Sequence, residues 1–201
     1  MKKIYLILIL ILVFLAGTNA QNRIGVRAGL NLVNEFISLD NQRAKTHIAT
    51  SFHLSGYYDL FISRNFSIQP GISIEGKGGV SKIEGNTFTD KLIYFELPIN
   101  FIARAPTRSG DLFIGAGPYF SYGIDARVSS GRKSVVLEWG NGYDQLNPID
   151  AGLGILMGYR FKNGFTARLS NSGGLVNISN KRQAKYLNRV SSIGVGYEFG
   201  Q

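Results

Sequence analysis

From residue 23 onward, apolar and polar positions alternate with a period of two, as they do in strands that turn one apolar face away from the other. In residues 23–32, Ile24, Val26, Ala28, Leu30 and Leu32 share one side, while Gly25, Arg27, Gly29 and Asn31 share the other. Residues 50–61 set Phe52, Leu54, Tyr58 and Leu60 against His53, Ser55, Tyr57 and Asp59, and residues 66–76 set Phe66, Ile68, Ile72 and Ile74 against Ser67, Gln69, Ser73 and Glu75. Residues 92–104, 111–123, 149–161, 164–171 and 190–199 repeat the pattern. Each segment is close to the 9 to 11 residues that a tilted strand needs to cross a bilayer. The chain is therefore expected to be all-β, with eight antiparallel strands.

The connections sharpen this expectation. Those over residues 33–49, 77–91, 124–148 and 172–189 are long, whereas Ser63-Arg64-Asn65, residues 105–110 and Lys162-Asn163 are short. An even strand number with alternating long and short connections predicts a transmembrane β-barrel with extracellular loops, periplasmic turns and both termini in the periplasm.

The first residues agree with export. Lys2 and Lys3 precede an apolar run from Ile4 to Ala16, and Thr18-Asn19-Ala20 supplies small residues for cleavage. Residues 1–20 read as a signal peptide and 21–201 as a single barrel domain, because the apolar run is short for a spanning helix. The chain has no Cys, which excludes a lipoprotein anchor, disulfides and thiolate chemistry. Its formal charge of +9 becomes +7 once Lys2 and Lys3 leave with the leader. The cations are scattered, so lipid phosphate and lipopolysaccharide are the expected partners, and nucleic acid is not.

A soluble eight-stranded barrel would put its apolar face inward around a greasy ligand; a membrane barrel inverts this. The polar face here carries Arg27, Asp59, Glu75, Glu96, Arg104, Asp150, Arg160, Arg168 and Glu198. Both signs are present, so these nine residues are expected to pair as a charge network in a narrow lumen, where an unpaired charge is costly. An interior of this strand number is just filled by its own side chains, which argues against a diffusion channel. Pro70, Pro98 and Pro118 fall within predicted strands and demand local breaks in the ladder.

The segments Ile24-Gly-Val-Arg-Ala-Gly-Leu-Asn-Leu32, Phe66-Ser-Ile-Gln-Pro-Gly71, Tyr94-Phe-Glu-Leu-Pro-Ile99, Phe113-Ile-Gly-Ala-Gly-Pro-Tyr119 and Asn188-Arg-Val190 resemble the PorT-like outer-membrane β-barrel proteins of Bacteroidetes. The resemblance spans nearly the whole mature chain and implies the fold, the outer membrane and a link to type IX secretion. It brings no catalytic residues. It also implies insertion by the barrel assembly machinery, with Tyr197 and Phe199 as the terminal aromatic signal ahead of Gly200-Gln201.

No cofactor or metal pattern is present. Gly152-Leu-Gly154 with Gly158 has the wrong spacing and setting for a dinucleotide fingerprint. The one catalytic alternative is a lipid hydrolase or acyltransferase with a rim site at His53, helped by Ser51, Ser55 or Ser121. The leading expectation is a non-enzymatic barrel with a structural, adhesion or secretion-accessory role, meeting a secretion or cell-envelope protein through its loops.

Overall fold

The computed structural model describes residues 22–39, 42–83, 85–181 and 184–200. The leader expected over residues 1–20 lies outside them. The strands are β1 (Arg23–Leu39), β2 (Gln42–Lys45), β3 (Ala49–Phe61), β4 (Phe66–Ile83), β5 (Asn86–Pro106), β6 (Gly110–Ser130), β7 (Lys133–Val136), β8 (Ile149–Phe161), β9 (Phe165–Gly174) and β10 (Ala184–Phe199). Eight of them form a ring in the order β1-β3-β4-β5-β6-β8-β9-β10, closed by antiparallel pairing of β10 with β1 from Ile24↔Phe199 to Leu39↔Ala184. Closure leaves the ring no free edge, as a spanning sheet requires in a solvent without hydrogen-bond partners. β2 and β7 are short return strands on the ends of β1 and β6.

The pleat turns the apolar face outward. Ile24, Leu30, Leu153, Ile155 and Val195 are each more than half exposed, whereas Asp59 and Asp150 are 0% exposed. This arrangement overturns the alternative of a soluble barrel around an apolar ligand, since the greasy face has nothing to cover it except lipid.

At the end that carries the long connections, the strands run further than the apolar alternation indicates. β5 and β6 have 21 residues each, about twice what a bilayer needs. The loop expected over residues 77–91 is a continuation of the β4–β5 hairpin, which pairs up to Ile83↔Asn86 and turns at Gly85 with φ 79°. Beyond the lipid the outward face of a strand meets water, so the ladder continues with no outward apolar face to betray it. β6 also changes phase. Ile93 faces Asp125 and Tyr94 faces Gly123, so Ile124 has no opposite residue, and beyond this bulge Ala126 takes the inward position.

The three prolines lie in matching gaps of the ladder. Pairing of β3 with β4 skips from Tyr57↔Gly71 to Leu60↔Ile68, which isolates Pro70. Pairing of β4 with β5 skips from Pro70↔Ile99 to Ser73↔Glu96 around Pro98, and that of β5 with β6 skips from Pro98↔Tyr119 to Phe101↔Ala116 around Pro118. Each proline thus directs its missing N–H toward the preceding strand, and the gaps step diagonally across the wall.

Candidate functional site

The lumen is built in layers. At the short-turn end, Arg160 Nε meets Glu198 Oε2 at 2.7 Å, and Arg23 Nη1 lies 3.7 Å from the same oxygen. Arg104 pairs with Asp59 and also donates to Ser67 Oγ at 3.3 Å. Tyr57 donates its hydroxyl to Glu198 Oε1 at 3.2 Å. Phe61 stacks beneath the guanidinium groups of Arg23 and Arg104 at 4.9 and 5.0 Å. An apolar cluster of Ile102, Phe113 and Leu156 fills the adjoining lumen. Five strands thereby bring long cations and carboxylates to one level, where each desolvated charge has an opposite charge within reach.

Toward the long-connection end, Lys77 Nζ lies 2.9 Å from Glu96 Oε2 and 3.0 Å from Asp150 Oδ2, and donates to Ser121 Oγ at 3.1 Å. Its ammonium also sits over the Tyr119 ring at 4.2 Å. Asp150 further accepts from Asn188 Nδ2 at 3.0 Å. Lys77 reads from the sequence as an external-loop cation, and the structure corrects this: it is 3% exposed and inside the barrel. The inward series Ser73, Glu75, Lys77 was the signal, since residue 77 keeps the period of two.

Above this layer the external ends fold over the lumen. Leu92, Tyr94, Ala126 and Ile178 form a buried cluster against which Leu137, Trp139, Leu146 and Tyr186 pack. The Trp139 and Tyr94 rings meet edge to face at 5.3 Å. Asn180 Nδ2 donates to the carbonyls of Gly140, Gly142 and Gln145, tying two connections into one cap. The connections over residues 124–148 and 172–189 therefore contain an organised apolar lid as well as surface charge. Its apolar residues do not follow a strand period, so nothing in the alternation marks them.

All nine residues expected in the charge network face the interior, but they do not form one continuous network. Arg104–Asp59 and Arg160–Glu198 belong to the lower layer, and Glu96 and Asp150 to the Lys77 layer. Glu75 accepts from Ser73 Oγ at 2.7 Å and from Asn31 Nδ2 at 2.9 Å. Arg27 stacks on Tyr57 at 4.4 Å, and Arg168 lines the space between the layers. Arg23, Asp111 and Lys77 join them although the sequence pattern left them out; Arg23 opens its strand, and Asp111 touches Arg160 at 3.9 Å.

His53 does not sit at the rim. It faces the middle of the lumen beside Gly29 and Gly194, and its Nδ1 is 2.8 Å from Asn31 Oδ1. Ser192 Oγ donates to the same Asn31 oxygen at 2.7 Å, and among the described residues no serine hydroxyl is hydrogen-bonded to His53.

Residues 19–180 match the family described as "Outer membrane protein beta-barrel domain". No curated protein matches the chain. Among solved structures it is similar to neisserial surface protein A, at 15% identity over 90% of this chain and 98% of that one, with a TM-score of 0.48. It is also similar to Ail, the attachment invasion locus protein of Yersinia pestis, in complex with the heparin analogue sucrose octasulfate, at 12% identity over 90% and 100% with a TM-score of 0.45. The N-terminal β-barrel domain of Pseudomonas aeruginosa OprF is similar at 13% identity over 89% and 98%, with a TM-score of 0.38.

Proposed function

Because the chain belongs to the outer membrane protein beta-barrel domain family and so resides in the outer membrane, we propose that it is a non-conducting, non-enzymatic surface platform that serves adhesion or secretion through its external end. The observation that carries this reading is the closure of the lumen at two levels, by the Arg104–Asp59 and Arg160–Glu198 pairs below and by Lys77, its carboxylates and the Trp139 lid above. A barrel without an open path through it acts at its surfaces, and the larger differentiated surface is the external one.

Lys91, Arg132, Lys133, Lys185 and Arg189 are exposed there, suited to charge-assisted contact with lipopolysaccharide phosphates. Val135, Val136, Tyr143 and Leu175 are each more than half exposed beside them, the kind of apolar tips that a cell-envelope protein partner would cover. The resemblance of the strand motifs to those of PorT-like proteins favours the secretion-accessory version.

Two measurements test the proposal. The barrel refolded into planar bilayers is expected to give no steady ohmic conductance, and regular single-channel steps would overturn the closed-lumen premise. In cells lacking the protein, wild type is expected to restore surface-protein export or adhesion. A heat-modifiable variant with residues 131–147 replaced by a tight Gly-containing turn is expected to fail. Full restoration by that variant would remove the external end from the function.

A further inference from the structure

We propose that the middle of the lumen is a binding site for a small monovalent inorganic anion, held by the guanidinium groups of Arg27 and Arg168. Two adjoining cavities of about 60 Å³ each lie between the ion-paired layers, and Glu75, Glu96, Asn100, Arg168, Ser170 and Ser192 line both of them. A water molecule needs about 10–15 Å³ of such space, so each cavity accommodates a few waters or an ion of halide or nitrate size, and a sugar or a lipid headgroup is too large.

The hydrogen-bonding balance of this chamber is one-sided. Lumen cations Arg23, Lys77, Arg104 and Arg160 each have a carboxylate within 4.0 Å. Among the described residues Arg27 and Arg168 have no such partner, and their guanidinium groups donate no hydrogen bond. Arg27 is 6% exposed, and its Nε is buried without an acceptor. The carboxylates on the opposite wall are already supplied: Glu75 by Ser73 and Asn31, Glu96 by Lys77 and Ser121. What the chamber lacks is therefore an acceptor and not a donor.

Position and space fit this assignment. Arg27 on β1 and Arg168 on β9 flank β10, where the His53 ring packs over Gly194 and Ser192 presents a small side chain. Arg27 and Arg168 both line the first cavity, so an anion held there lies between two like charges. The charged side chains that line the first cavity, Arg27, Arg168, Glu75 and Glu96, balance in sign. The two carboxylates already hold donors from Ser73, Asn31, Lys77 and Ser121, so the free donors toward the cavity are the two guanidinium groups.

The test uses bromide. The full barrel is refolded in bromide buffer, desalted and crystallised, and diffraction is recorded at the bromine edge. An anomalous peak between Arg27 and Arg168 is expected, with stoichiometric bromide retained through desalting. Arg168→Gln, checked as folded by its heat-dependent gel shift, is expected to retain about tenfold less or lower. Water alone in the chamber, or bromide only at surface positions as an adventitious ion, would overturn the proposal. So would a chamber peak that survives Arg168→Gln unchanged. If Arg168→Gln does not fold, the wild-type map decides by itself, and Arg168→Lys, which keeps the charge, is expected to keep the peak. Conductance and cell-surface results bear on the platform reading and leave this test independent.

Discussion

The ammonium of Lys77 sits 3.0 Å from the Asp150 carboxylate and joins β4 to β8 across the lumen, although the two residues are 73 positions apart. Both side chains are almost wholly desolvated, at 2% and 0% exposure. Removing one partner strands the other, which typically costs about 3–5 kcal/mol, more than the pair contributes against a well-packed apolar replacement. Lys77→Met is expected to lower the stability of the lipid-refolded barrel by that order. Lys77→Met combined with Asp150→Asn is expected to recover much of the loss. Urea midpoints for the single and double variants check the coupling; equal midpoints for both would refute it.

Ile155 is 65% exposed near the middle of β8. On a soluble protein, a charge placed there would be nearly neutral. On the lipid face of a barrel, Ile155→Arg is expected to cost about 2–4 kcal/mol. The folding free energy in bilayers reads this directly, and no change would contradict a lipid-facing position.

The external extension contains a carboxyl pair, Glu35 on β1 and Asp90 on β5, beyond the outward apolar residues Leu32 and Ile93. Burial, followed by the nearby Asp90 charge, pushes the Glu35 carboxyl up to about 8, and burial raises Asp90 as well. A carboxyl whose folded value lies above its ordinary 4.5 favours the folded state most below that value, and loses this contribution as pH rises toward 8. The external end is therefore expected to be tighter at pH 5 than at pH 8.5. Trp139 fluorescence during urea titration would follow it, and Glu35→Gln is expected to flatten the difference. A wild-type end that tightens with rising pH would reverse the sign.

Gly117 lies in the diagonal gap beside Pro118, and a methyl group added there runs into the carbonyl oxygen of Ile99, a backbone atom that has no rotamer to escape into. Gly117→Ala is expected to destabilise the barrel by about 1–3 kcal/mol. Gly173→Ala is the matched control, since nothing lies within 4 Å of the added carbon. Refolding yield and urea midpoint compare the two.

The period-two pattern by itself determined the ring. One face had to be apolar throughout to meet lipid, and a one-residue slip would have reversed every side chain, so the membrane segments of residues 50–61 and 149–161 could be read within a residue of their ends. The lumen charges were legible for the same reason, since Arg27, Asp59 and Glu198 stand where the alternation says inward. Past the lipid the constraint disappears, because an outward face that meets water need not be apolar. The reach of β5 and β6 and the β6 bulge at Ile124 were decided by hydrogen-bonded register.

Partner choice was likewise tertiary. A sequence of inward charges does not say which cation meets which carboxylate. Strand stagger around the closed ring brought Lys77 to Asp150 and Arg160 to Glu198, and left Arg27 and Arg168 facing open space. The Trp139 lid arose from side chains of separate connections that share no period and meet only once the barrel has closed, because burying them against Tyr94 and Leu92 requires the assembled rim.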